Sequence, residues 1–171
     1  NDSKGLRKQR YTVLASRMIM RQENINKLKT EKEGIRILRD LESGFMVPSE
    51  EEKRFLFDIL KIEYKKYFKS IDGVILNVSS VSKVISSKDF ILVEIKTTSA
   101  KNVKELPYGV FFGLTKNEED LFKKIDNYRL CIVHNKLKKH ILLKFKEYES
   151  LIQNKRVQYQ INFKSKKSII D

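Results

Sequence analysis

The chain has 171 residues, of which 40% are hydrophobic, and a formal net charge of +14 at pH 7. Its 7 Tyr and 10 Phe argue against a disordered chain, and its 2 Pro and single Cys exclude collagen-like and disulfide-rich classes. No apolar run is long enough to span a bilayer, and the charged first residues do not resemble a signal peptide. We therefore expect a cytoplasmic protein with no membrane partner.

The positive charge is concentrated towards the two ends of the sequence. Residues 1–48 carry a net charge of +5 and residues 136–171 a net charge of +7, whereas residues 49–135 carry only +2. A compositional bias towards Lys explains the choice of Lys over Arg, but it does not explain the excess of bases over acids. Basic ends around a nearly neutral centre favour a polyanionic partner, and we expect nucleic acid.

The first part of the chain predicts two helices. Apolar residues recur at three-, four- and seven-residue steps over residues 6–42, and Gly44 is a typical helix stop. Residues 45–48 are expected to connect this stretch to a second helix. That helix begins at Ser49, where the spacing of a capping box is present, and is expected to run to about Phe68.

The pattern then changes to short apolar runs that predict strands, with a second capping box between two of them. Residues 79–88 are expected to form a loop or to contain a short strand at 81–85. Mixed strands and helices on a chain of this size indicate an α/β fold with one mixed sheet and helices on its faces. The predicted elements are strands at 71–78, 89–96, 108–114 and 127–133, a helix from Thr115 to about Ile125, a basic turn at 136–139, a strand and short helix within 140–153, and a last strand at 156–163.

Two charged residues, Glu94 and Lys96, interrupt the most apolar of these strands. Residues two apart in a strand point to the same face, and burying both charges is costly unless they are used. A carboxylate can hold a divalent cation while a neighbouring ammonium orients or polarises a water. Asp72 on the preceding strand supplies the second carboxylate that Mg²⁺ requires, and Gly73 leaves room for a close approach.

A third carboxylate is expected on the second helix. Glu63 lies four residues after Ile59 and seven after Leu56, so helical spacing places it on the same apolar stripe. Glu52 lies near that stripe as well. We prefer Glu63 as the third acid of the site, although a surface ion pair with a nearby Lys explains it equally well.

The order Asp72-Gly73, strand, Glu94-Ile95-Lys96 resembles the PD-(D/E)XK nuclease superfamily over roughly residues 49–135. Ile71 stands where the family's first motif often has Pro. The continuation Thr97-Thr98, followed by the helix start at Thr115–Glu118, is similar to the restriction-endonuclease-like branch. The resemblance implies an αβββαβ core with a mixed central sheet, preceded here by N-terminal helices.

This resemblance also implies a function, which is a Mg²⁺-dependent endonuclease acting on double-stranded DNA, most specifically a type II restriction endonuclease. Asp72, Glu94 and the Ile95 carbonyl would bind Mg²⁺ or Mn²⁺, Lys96 would orient or activate the attacking water, and Glu63 would complete the catalytic set. The residues expected to contact DNA are Thr97, Thr98, Lys101, Lys136, Lys138 and Lys139.

The same resemblance suggests a division of the chain. Residues 1–48 would form a helical arm for DNA recognition or dimerisation, and residues 49–171 the nuclease core with a basic C-terminal extension. Because one site cuts one strand per visit, cutting both strands predicts a homodimer. Two alternatives stay open: a nucleic-acid-binding module in which the acids are structural, and a nuclease subunit or domain of a larger resolvase or repair complex.

Overall fold

The computed structural model describes residues 29–158 and residue 161. Within this part of the chain a five-stranded mixed sheet forms the centre of the fold. Its strands follow one another in chain order, with β3 parallel to β4 and the other neighbouring pairs antiparallel. The strands are β1 (Phe45–Met46), β2 (Gly73–Leu76), β3 (Phe90–Thr98), β4 (Tyr128–His134) and β5 (Lys139–Leu143).

Helices cover both faces of the sheet, which confirms the predicted α/β class. The larger core joins even-numbered residues of β3, such as Leu92, to residues of four of the helices. On the opposite face, Ile37 and Leu38 of the first helix pack near Val93 and Cys131. The helices are α1 (residues 29–41 of the described part), α2 (Glu50–Ile59), α3 (Tyr64–Tyr67), α4 (Lys116–Lys124) and α5 (Phe145–Leu151).

The capping signals in the sequence are confirmed. The Ser49 hydroxyl accepts from the Glu52 N–H, and the Glu52 carboxylate accepts from the Ser49 N–H. Thr115 and Glu118 form the same reciprocal pair at the start of α4. These bonds satisfy helix N–H groups that would otherwise lack partners, which explains why both helices begin where they were expected.

The predicted helix from Ser49 to Phe68 is wrong in length. α2 ends at Ile59, and Lys61 adopts a left-handed φ of 54° that turns the chain. The Ile62 N–H then bonds to the Phe57 carbonyl, and α3 follows as a separate short helix. This turn buries Ile62 against the main core, so packing overrides the helical pattern.

Two further expectations about strands are corrected. Residues 45–48 are more than a connector, because Phe45 and Met46 pair with β2 as strand β1. Residues 108–114 form no strand, although Val110, Phe112 and Leu114 all pack against the core. Their alternation imitates a strand, but β3 already has β2 and β4 as partners. The loop alternative holds for residues 79–88, which contain two short 3₁₀ turns.

Several predictions concern residues outside the described part. These are residues 6–28 of the first helix, and residues 159–160 and 162–163 of the last predicted strand. Residues 156–158 have no strand structure. The domain boundary at residue 48 stays a prediction, while residues 29–46 supply α1 and β1 to the fold. Among the described helices, none combines the length and apolar character that a membrane crossing requires.

Gly73 allows β1 to approach β2 closely, and its replacement should destabilise the sheet. A Cβ there would lie 2.4 Å from Cε2 of Phe45 and 3.0 Å from the Met46 carbonyl oxygen. We expect Gly73→Ala to lower the free energy of unfolding in urea by about 1–3 kcal/mol through overpacking. Gly113→Ala is the matched control, since nothing lies within 4 Å of its added Cβ. Equal stability of the two variants would contradict this account.

Candidate active site

Three of the predicted site residues meet where β2 begins beside the C-terminal half of β3. The ladder pairs Gly73 with Val93, so Asp72 lies opposite Glu94. The Asp72 N–H donates to the Val93 carbonyl at 2.8 Å, and Asp72 Oδ2 accepts from the Ile95 N–H at 2.8 Å. Strand backbone therefore fixes both the main chain and the side chain of Asp72.

Glu94 and Lys96 form an ion pair on the face of β3 that carries the larger core. Lys96 Nζ lies 2.7 Å from Glu94 Oε1 and 3.4 Å from Oε2 of a second carboxylate, Glu118. The side chains of Glu94 and Glu118 are only 5% and 9% exposed, and that of Lys96 is 17% exposed. The lysine is thus clamped between two buried acids, while part of its side chain still reaches solvent.

Glu118 is a site residue that the sequence reasoning missed. Its Oε2 accepts from the Thr115 N–H at 2.6 Å as part of the capping box of α4, and the same oxygen faces Lys96. In the sequence, the capping pattern already accounts for Glu118 and so hides its second role beside Lys96. A signal was present, because Leu121 and Phe122 follow at the three- and four-residue steps of a buried helix stripe.

Lys53 of α2 is the second missed residue. Its Nζ donates to the carbonyls of Phe68 at 3.0 Å and Ile71 at 3.2 Å, which ties α2 to the backbone just before Asp72. Lys53 precedes the buried residues Leu56 and Phe57 by three and four positions, so helical spacing could have placed it on the inner face.

Burial and the closeness of several carboxyl groups shift pKa values within the cluster. Burial raises the pKa of Asp72, against the Ile95 N–H and Lys96, which lower it. Burial and then the neighbouring Asp72 raise the pKa of Glu94 to about 9. Burial opposes the charge of Lys96, but Glu94 and Glu118 outweigh it and raise the pKa of the lysine. Lys96 is therefore a charged donor in this arrangement.

Burial also acts on Lys53, whose pKa it lowers, although Asp72 and Glu94 oppose that effect. The pKa of Tyr128 is strongly raised by burial and by the acids of the cluster, and its hydroxyl donates to the Ser70 carbonyl at 2.7 Å. Tyr128 is thus a neutral structural neighbour of the site.

The cluster has one feature that fits a divalent cation. Glu94 Oε2 is buried and has no hydrogen-bond partner in the part of the chain that the structure describes, which is costly for a carboxylate oxygen. The last residue pair between β2 and β3 is Gly73 with Val93. Ile95 lies two residues beyond Val93, where this pairing has ended. Residues 29–158 contain no group of three or more His, Cys, Asp and Glu arranged to hold a metal ion. The side chains that would suit a divalent cation in this cluster are therefore those of Asp72 and Glu94.

Glu63 is not brought to this cluster by any contact that the structure shows. It is exposed and occupies the position before α3, where its side chain makes no cap hydrogen bond. The turn at Lys61 cancels the helical spacing that placed it on the stripe of Ile59. Glu52 is engaged in capping α2.

The residues expected to contact DNA lie at the same end of the sheet but not on one face. Thr98 shares the face of Lys96, whereas Thr97 lies on the opposite face against Gly34 of α1. The Asn135 N–H donates to the Thr98 carbonyl, which places the turn after β4 beside the end of β3.

The predicted basic residues are all exposed, but one of them is already paired. Lys138 Nζ lies 2.5 Å from Glu33 Oε1 of α1. Its charge is therefore partly neutralised within the protein. The exposed lysines are Lys101, Lys136, Lys138 and Lys139.

No family model, no curated protein and no solved structure matches this chain. The site itself, with Asp72, Glu94, Lys96 and Glu118 at its centre, is therefore the basis for assigning a function to the chain.

Loss of the Lys53 ties should loosen the backbone that leads to Asp72. We expect Lys53→Met, which keeps most of the aliphatic stem, to lower the free energy of unfolding by about 1–3 kcal/mol, because two carbonyls lose a charged donor. Lys83→Met is the control, since Lys83 is exposed in the β2–β3 connection. Urea unfolding measures both variants, and equal losses would contradict a specific role for Lys53.

Proposed function

We propose that this chain is a metal-dependent endonuclease that hydrolyses phosphodiester bonds of double-stranded DNA. The observation that carries the proposal is the meeting of Asp72, Glu94 and Lys96 at one end of the sheet, with a buried Glu94 oxygen that lacks a partner. Two acids and an ammonium, held on adjacent strands, form a donor set suited to a divalent cation and to a polarised water.

The order of elements supports a restriction-endonuclease-like core. α1, then β1, β2 and β3 as antiparallel neighbours, then α4 and the parallel strand β4, follow the αβββαβ sequence of that core. In this assignment the core begins at α1 rather than at residue 49, and β1 replaces the strand predicted at 108–114. α2 and α3 are then an insertion between β1 and β2.

In the proposed site Asp72, Glu94 and the Ile95 carbonyl hold Mg²⁺ or Mn²⁺. When bound, the cation supplies Lewis-acid stabilisation of the negative charge that develops on the phosphate. Asp72 cannot turn freely, because the Ile95 N–H holds one of its oxygens. Such fixed ligands reduce the reorganisation that binding requires.

Lys96 orients the attacking water. Because Glu94 and Glu118 both face its ammonium, it acts as a proton-bearing donor rather than as a base. The water oxygen forms a bond to phosphorus and one ester P–O bond breaks, while the water proton passes to solvent and the leaving oxygen ends as a hydroxyl. The positive charge of Lys96 also offsets the charge of the transition state.

The charge of the whole chain supports DNA as the substrate, since +14 on 171 residues attracts a polyanion. A type II restriction enzyme is the most specific form of the proposal, and it requires a homodimer to cut both strands. Discrete fragments from plasmid DNA would favour that form, whereas nicking alone would favour a single site.

Cleavage of supercoiled plasmid tests the proposal directly. We expect cleavage with Mg²⁺ or Mn²⁺ and none with EDTA. Asp72→Asn, Glu94→Gln and Lys96→Ala should each reduce the rate by about 10²-fold or more, in line with the loss of a preorganised charged group. Glu63→Gln should cleave at the wild-type rate, because Glu63 is exposed and the structure shows no hydrogen bond or ion pair from it to the cluster. Loss of activity in that variant would instead support Glu63 as the third acid of the site, as predicted from the sequence.

Binding of DNA without cleavage would overturn the nuclease proposal. If wild-type protein binds DNA with strong salt dependence but cleaves no duplex, branched or single-stranded substrate in either metal, the chain is a binding module or a subunit that lacks its partner. Cleavage that persists in EDTA or in Lys96→Ala would point to a different reaction.

Metal binding should also stabilise the fold without any substrate. At a metal concentration 100-fold above Kd, the gain is about 2.7 kcal/mol, which corresponds to a rise of several degrees in Tm. Glu94→Gln should abolish the rise, because a Gln amide cannot ionise to supply the carboxylate that the cation binds, while Glu63→Gln should retain it. A thermal melt with and without Mn²⁺ measures the effect, and an equal rise in Glu94→Gln would place the metal elsewhere.

A further inference from the structure

The segment 99–114, called here the aromatic loop, joins β3 to α4 and is anchored at both ends beside Lys96. It begins directly after Thr98, two residues beyond Lys96 on the same face of β3. It ends at Thr115, whose N–H donates to Glu118 Oε2, the oxygen that also faces Lys96. Both ends of the aromatic loop therefore lie close to the proposed catalytic lysine.

The aromatic loop presents one aromatic side chain to solvent while its neighbours hold it in place. Val110, Phe112 and Leu114 are partly buried against the main core, whereas Phe111 between them is 95% exposed. Burying Phe111 by a shift of one residue would expose its neighbours, so the outward position is fixed by packing. Earlier in the loop Val103 is buried, and Tyr108 is 62% exposed.

Phe111 is far more exposed than any other Phe in the described part of the chain. No other Phe among the described residues exceeds 42% exposure. A Phe left in water forgoes about 1.5–3 kcal/mol of burial energy, so a rigidly presented ring suits a partner with a flat apolar face.

Charge identifies the kind of partner. Lys101, Lys104 and Lys116 are exposed on the aromatic loop and at the start of α4, against one exposed acid, Glu105. Lysines around aromatic rings fit a nucleic acid, whose phosphates meet the lysines and whose bases stack on the rings. In an intact duplex the base faces are covered by their neighbours, so a stacking ring needs an unpaired or unstacked base.

We propose that Phe111 stacks on an unpaired base next to the phosphodiester held at Lys96, so that the preferred substrate is duplex DNA containing an unpaired base beside the cleavage point. The inference rests on the proposed nuclease function and narrows its substrate class, away from the fully paired sites of a type II restriction enzyme and towards a nuclease of the resolvase or repair type. Fully paired DNA binds through its phosphates alone, because extruding a base costs a few kcal/mol.

The test measures binding rather than cleavage. Duplexes with one bulged 2-aminopurine, and the same duplexes with the 2-aminopurine paired, are titrated with wild-type protein in EDTA. We expect the bulged duplex to bind about tenfold more tightly and its fluorescence to be quenched by stacking. Phe111→Ala should lose both the preference and the quenching while keeping the affinity for the paired duplex. Phe111→Trp should retain the preference.

Ile85→Ala is the matched control. Ile85 is 89% exposed, but it lies in the β2–β3 connection at the opposite end of these strands from Asp72. This variant should behave as wild type. Because both side chains are exposed, neither variant should change Tm, and a thermal melt verifies this.

The two proposals fail separately. Equal affinity of wild-type protein for bulged and paired duplexes, or full quenching by Phe111→Ala, overturns the stacking inference whether or not the chain cleaves DNA. A change in oligomeric state on Phe111→Ala without an effect on DNA binding overturns it as well and assigns the ring to a contact between copies. Base stacking with no cleavage in any metal overturns only the nuclease function.

Discussion

The position of Lys96 between Glu94 and Glu118 links the sheet to the helix that crosses over it. Glu94 belongs to β3, and Glu118 is fixed at the first turn of α4 by its capping partner Thr115. α4 is also the connection that makes β3 and β4 parallel neighbours. The charged cluster is therefore built into the crossover itself, and a shift of α4 would move one of the two acids that hold the lysine.

A stable fold alone would not place these charges here. Burying a carboxylate without a full set of partners costs several kcal/mol, and apolar residues of similar size usually stabilise a core better than a buried ion pair. The neighbours of Glu94 at residues 90–93 and 95 of the strand are apolar, and Glu94 Oε2 has no hydrogen-bond partner among the described residues. Local rules of this kind are commonly broken at functional sites, which is the physical reason to interpret the cluster as one.

The sequence was sufficient to predict that Asp72, Glu94 and Lys96 lie together, because charges two residues apart stand out in an apolar strand. The sequence did not predict that Glu118 joins them, because the capping role of Glu118 already accounts for that residue. Other predictions of helices and strands failed because tertiary structure decides the outcome there. The left-handed turn at Lys61 leaves no local signal, and β1 is too short to form a pattern. The alternation at 110–114 reports burial on one side, which an unpaired segment shares with a strand.

The cluster lacks the net positive charge of the chain as a whole, and this contrast constrains how DNA can reach the site. Lysines on the surface attract the phosphate backbone over a distance, but the cluster itself holds three carboxylates and, with Lys53, two ammonium groups. A phosphate entering there finds no net positive charge among these groups unless a cation is present. In the proposed nuclease, metal binding and productive placement of the scissile phosphate therefore favour each other, while binding through the outer lysines needs no metal. By linkage, the same coupling free energy must tighten metal binding when the phosphate is in place.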